Sequence, residues 1–159
     1  MSWRLGGLAG FVLVLLASVT LASAQSTLET FPRDELVLAS RDGGRHSFEV
    51  EIATSPEQQA QGLMFRRALA ADAGMLFLYQ QEGLRTMWMK NTVIPLDMLF
   101  IDKRGTILQV VERTVPFSLQ TISSDKPALA VLEVNAGTAA RLGIKPGDRV
   151  LHAAFEGGS

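Results

Sequence analysis

Glu35-Leu-Val-Leu-Ala-Ser-Arg-Asp-Gly-Gly-Arg-His-Ser-Phe-Glu-Val-Glu-Ile-Ala53 decides the fold class. Glu35–Ser40 and His46–Ala53 are short runs with β-branched and aromatic residues. Arg41-Asp42-Gly43-Gly44 between them supplies residues tolerant of positive φ, which a tight hairpin needs. In the second run Phe48, Val50 and Ile52 alternate with Glu49 and Glu51. That period of two marks a strand with one wet face.

The pattern repeats outward. Met75–Tyr79, Thr86–Met89, Met98–Ile101 and Thr106–Glu112 read as strands, with Asp102-Lys103-Arg104-Gly105 closing a second hairpin. Ala128–Val134 and Arg149–Phe155 read as two more, the latter fed by the turn Lys145-Pro146-Gly147-Asp148. Two short helices interrupt them. Ser55 is placed to cap the first, with Pro56 at its first position and Gln58 completing a capping box; it is predicted over Pro56–Leu63. Gly143 stops the second, Gly137–Leu142. Pro116–Pro127 is polar and irregular. The expectation is an α+β domain over 35–156, mainly antiparallel, curled or closed into a small barrel.

Ahead of it, Arg4, the apolar run Leu5–Leu21 and Ala22-Ser23-Ala24 have the layout of a secretory signal, expected to be cleaved after Ala24, with retention as an uncleaved membrane anchor the alternative. Residues 25–34 read as a flexible lead-in. The predicted location is therefore export, to the periplasm or beyond, with no membrane span after cleavage. Cleavage would remove only Arg4 among charged residues, moving the net charge from −1 to −2. A mildly acidic chain offers no basic face for nucleic acid. With no Cys, thiol catalysis, thiolate metal sites and disulfides are excluded. His46 and His152 share no metal-ligand spacing, and no cofactor is expected.

Chemistry concentrates in Met87-Trp-Met-Lys-Asn-Thr-Val-Ile-Pro-Leu-Asp97. Such density beside a core strand is either a buried network or the floor of a site. Arg66, Trp88, Lys90, Asn91, Asp97 and Glu133 are the candidate ligand-binding residues. Arg66 and Lys90 would pair with Asp97 and Glu133, or hold an anionic or hydroxyl-rich ligand against Trp88. Carboxylates and cations on apolar strands must be paired or remain near water. Two alternatives compete with a binding module. Asp97 and Glu133 would serve an envelope hydrolase if they faced each other across a cleft. Met87 and Met89, pointing one way on a strand, are soft ligands suited to Cu(I), although Met is also a common core filler. No serine nucleophile elbow is present. The partner on any of these readings is a small molecule or an envelope component.

Thr54, Glu57, Gly62-Leu63-Met64, Arg66, Gly74-Met75-Leu76-Phe77, Trp88-Met89-Lys90-Asn91-Thr92, Ile94-Pro95-Leu96-Asp97, Phe100-Ile101 and Val131-Leu132-Glu133-Val134 form an ordered set. In that set the chain resembles a widespread bacterial and archaeal family, the domain of unknown function 192. The Phe common before the Trp is Met87 here. The resemblance implies a small β-rich domain, often secreted or anchored, and no established activity.

Overall fold

The computed structural model describes residues 28–155. The expected signal at 1–24 lies outside them, and so does the start of the lead-in. Strand β1, Arg33–Ala39, begins within the expected lead-in and pairs antiparallel with β2, Arg45–Ala53. The intervening turn is closed by Ser40 N–H donating to the Gly44 carbonyl at 2.9 Å.

Helix α1, Pro56–Gln61, starts as its sequence dictates: Ser55 accepts from the Gln58 amide, and the Gln58 side chain accepts from the Ser55 amide in return. It ends at Gly62 and belongs to the connection that carries the chain from β2 to a parallel neighbour, β3, Ala73–Gly83. A parallel pair requires such a crossover. The chain continues through β4 (Thr86–Met87), β5 (Leu96–Ile101), β6 (Ile107–Val111), β7 (Ile122–Ser123) and β8 (Ala128–Asn135). Helix α2 (Thr138–Leu142) and β9 (Arg149–Leu151) complete it.

Seven strands form one sheet in the order β6-β5-β8-β3-β2-β1-β9, and β4 pairs with β7 apart from it. The sheet is mixed, curls strongly into a half-barrel, and makes the domain α+β. Its two ends approach each other: Thr106 bridges Arg149, and Val150 N–H donates to the Gly105 carbonyl at 2.7 Å. Gly105 has φ +80°, and a Cβ there would run into the Val150 carbonyl oxygen. Only glycine allows this approach.

Successive side chains along a strand alternate between faces, and each face of the sheet carries its own core. Leu36, Val50, Leu76, Leu99, Leu132 and Val134 belong to the first. Met75, Phe77, Met98, Phe100 and Val131 belong to the second, completed by Leu63 after α1 and by Met87 and Met89.

The hairpins, the capping box and most strands appear where the sequence places them. Several bounds differ: α1 ends at Gln61 rather than Leu63, and β3 spans Ala73–Gly83 rather than Met75–Tyr79. Pro116–Pro127 contains the two-residue strand β7, the expected strand over Thr86–Met89 keeps only its first two residues, and β9 ends at Leu151. No helix among the described residues is long and apolar enough to cross a membrane.

Candidate functional site

Two ionisable groups meet the second core, the partly buried Tyr79 and the buried Glu133. Glu133 lies on β8 between Met75 of β3 and Met98 of β5, its direct cross-strand partners, so its side chain shares their face. It is 4% exposed, and its carboxyl makes no hydrogen bond among the described residues. Burial without a compensating partner disfavours the charged form. Desolvation accordingly pushes the carboxyl from its ordinary 4.5 up to about 8.

Glu133 borders a narrow cleft lined also by Gln59, Gly62, Met64, Met87, Trp88 and Thr92. One wall is the end of α1 and the turn after it. The other is the segment that follows β4. The space for the centre of a water-sized particle is only about 20 Å³. That is room for one or two waters, or a single compact ion.

The rim is conformationally unusual. Phe65, Asn91 and Phe117 have φ of 65°, 54° and 61°. Left-handed backbone costs a non-glycine residue roughly 1–3 kcal/mol and collects at binding sites and clamps. Two hydrogen bonds tie Phe65 and Phe117 to the segment after β4: Phe65 N–H donates to the Asn91 carbonyl at 2.9 Å, and Phe117 N–H to the Thr92 carbonyl at 3.1 Å. Phe65 and Phe117 are exposed, and Trp88, which lines the cleft, is 45% exposed.

The six residues selected from the sequence do not converge. Trp88 and Glu133 share the cleft. Asn91 reaches its edge, with its side-chain amide 3.8 Å from the Met64 sulfur. Lys90 is exposed, and its ammonium lies 5.0 Å from the Trp88 ring centroid. Arg66 does not pair with Asp97 or Glu133: it forms an ion pair with Glu51 at 2.7 Å.

Asp97 is a correction. Cross-strand pairing sets Asp97 opposite Val134 and Met98 opposite Glu133, so Asp97 and Glu133 point to opposite faces of the sheet. The facing carboxylates that a hydrolase requires are not there. Asp97 Oδ1 instead accepts from the amides of Arg113 and Gly137, and Oδ2 from the amide of Ala139, at 2.9–3.0 Å. Gly137 is the N-cap of α2 and offers no side chain of its own. Asp97 takes over that task, where an acid also suits the helix N-terminus.

Met64, Gly62 and Thr92 were not selected from the sequence, although all stand inside the blocks that carry the resemblance. Phe117 gave no signal, because its backbone strain depends on a partner 25 residues earlier.

A small curled sheet with a cleft on one face, bordered by a carboxyl, defines a compact α+β domain. The chain belongs to the family DUF192, "Uncharacterized ACR, COG1430", matched over residues 37–152. A Sinorhizobium meliloti 1021 protein, described as a "putative transcription regulator", is 46% identical. Its crystal structure superposes with a TM-score of 0.78, over 80% of this chain and 98% of that one. A Novosphingobium aromaticivorans DSM 12444 protein of unknown function is 42% identical, with a TM-score of 0.72 over 74% of this chain and 84% of that one. No curated protein matches this chain.

Proposed function

We propose that this domain is a binding module whose site is the Glu133 cleft, and that it takes a compact cation or hydrogen-bond donor. The observation that carries this reading is Glu133 itself: the residue is buried, its carboxyl has no hydrogen-bond partner among the described residues, and its oxygens keep a contact with the open space of the cleft. No side-chain polar atom among the described residues is both fully buried and unpartnered, so the carboxyl meets solvent only through the cleft. A ligand entering there can supply a donor or a positive charge to a carboxyl that no other side chain or backbone group among the described residues engages by hydrogen bond. The anionic ligand expected from Arg66 and Lys90 fits poorly, because Arg66 is already neutralised by Glu51 and neither cation lines the cleft.

A regulator role of the kind ascribed to the Sinorhizobium protein lacks support in the charge of this chain, which is −1 overall. Export, read from residues 1–24, completes the proposal and makes an envelope component or a small external solute the natural partner.

Thermal-shift measurements test the reading on the full chain with methylammonium, guanidinium and metal salts at pH 6 and pH 9. A saturable rise in Tm is expected for the wild type, larger at pH 9, and lost in Glu133→Gln. The same shift in both proteins, or none with any probe, overturns it.

A further inference from the structure

Six methionines occur in the chain, and every one after Met1 lies at this site or in the core beneath it. Met75, Met87, Met89 and Met98 are four of the eleven buried residues of the second core, and Met64 lines the cleft above them. The first core is larger, with sixteen buried residues, and contains no methionine. Methionine used merely to fill irregular gaps has no reason to avoid the larger core. Glu133, whose carboxyl makes no hydrogen bond among the described residues, occupies the same face, between Met75 and Met98.

The sulfurs nearest solvent are oriented toward polar groups. Met64 Sδ lies 3.8 Å from the Asn91 side-chain nitrogen, and Met87 Sδ 3.8 Å from the Tyr79 hydroxyl. Met89 is different: its sulfur is buried, 3.2 Å from the Thr114 hydroxyl, and it does not line the cleft.

We propose that the cleft is a thioether site for a soft monovalent cation, Cu(I) in nature and Ag(I) as its analogue, with Met64 and Met87 as sulfur ligands and Glu133 as the balancing charge. This rests on the reading of the cleft as a binding site and specifies its ligand. Three properties select the ion. Thioethers prefer soft cations, whereas hard ions such as Ca²⁺ and Mg²⁺ demand several oxygens, and one carboxylate is too few. One positive charge neutralises one carboxylate, which a water-poor site requires; a divalent ion would leave an excess charge buried. The available space suits an ion and excludes a sugar or a ring. Binding converts a protonated carboxyl to a carboxylate and releases its proton to solvent, so affinity rises with pH.

Trp88 borders the same cleft and reports occupancy. The other tryptophan is Trp3, so the test uses the full chain carrying Trp3→Phe. Silver nitrate is titrated in chloride-free buffer, and Cu(I) is added anaerobically against a chromophoric chelator. One equivalent is expected to quench Trp88, with at least tenfold weaker binding at pH 5 than at pH 8. Met64→Leu with Met87→Leu, which keeps side-chain volume, weakens binding at least tenfold, as does Glu133→Gln. Met89→Leu changes it less than twofold. Unaltered affinity in the double variant, equal losses in all variants, or no saturable Ag(I) or Cu(I) binding overturns the proposal. If methylammonium or guanidinium then still binds in a Glu133-dependent way, the cleft remains a binding site and only the soft-cation assignment falls. If nothing binds, both fall.

Discussion

Asp97 and Glu133 are two buried acids one register step apart, and their surroundings make them opposites. Asp97 is satisfied by three backbone amides that lie 16, 40 and 42 residues downstream. It fastens β5, the turn at Arg113 and the start of α2 together. Asp97→Ala would orphan all three donors, and hydrogen bonds to a charged group contribute roughly 1.5–3 kcal/mol each. We expect a loss on the order of 4 kcal/mol in urea unfolding, against less than about 0.5 kcal/mol for exposed Asp72→Ala. Equal midpoints for the two variants would show that Asp97 fastens nothing. The sequence marked Asp97 as important but assigned it the wrong partners. Its donors are backbone amides, and no residue type in the sequence announces a backbone amide.

Among the elements, α1 shows most clearly what local sequence specifies. Ser55, Pro56 and Gln58 predict its start, and the capping box forms as they require. Hairpins at Gly43-Gly44 and Gly105 were legible for the same reason, since the turn residues carry their own backbone preferences. Strand β7 was not. Its two residues, Ile122 and Ser123, are strand only because Met87 and Thr86 lie opposite them. The parallel pairing of β2 with β3 escaped notice too, because alternation reveals a strand and not the direction of its neighbour. The end of α1 joins fold to site. Gly62 has φ +49°, and a Cβ there would stand 2.9 Å from Phe77 Cζ, in the wall of the cleft. Gly62→Ala is expected to cost about 1–3 kcal/mol through backbone strain and to remove the Glu133-dependent thermal shift. A variant that matches the wild type in both denaturation and ligand response would contradict the close packing of that wall.

For the whole molecule, the unpaired carboxyl becomes a dependence of stability on pH. Glu133 holds its proton up to about pH 8 when folded, whereas an unfolded glutamate releases it near 4.5. Between those values the folded state binds more protons than the unfolded state, so stability falls as pH rises, and levels off above about 8. The ceiling on this loss is about 5 kcal/mol, and water reaching the cleft lowers it. Denaturant melts at pH 5 and pH 8.5 should show the wild type losing several times more stability than Glu133→Gln across that interval. Parallel losses would mean that the carboxyl is solvated or paired. Sequence patterning indicated which residues are strand but not that β8 would set Glu133 between two methionines, because that depends on pairing two strands far apart in the chain.

Consider finally the bridge between Thr106 and Arg149, where the far ends of the curled sheet meet. An open sheet presents a row of unused amides and carbonyls that can recruit a strand from another molecule, which is how many β-rich proteins form aggregates. Here the edges of β6 and β9 spend part of that capacity on each other, through Ile107, Asp148, Gly105 and Val150. Without disulfides to restrain a partly opened chain, that clasp is a safeguard against self-association. A bulkier residue at Gly105 would prise it open, and its harm would be seen in solubility and shelf life before it was seen in binding.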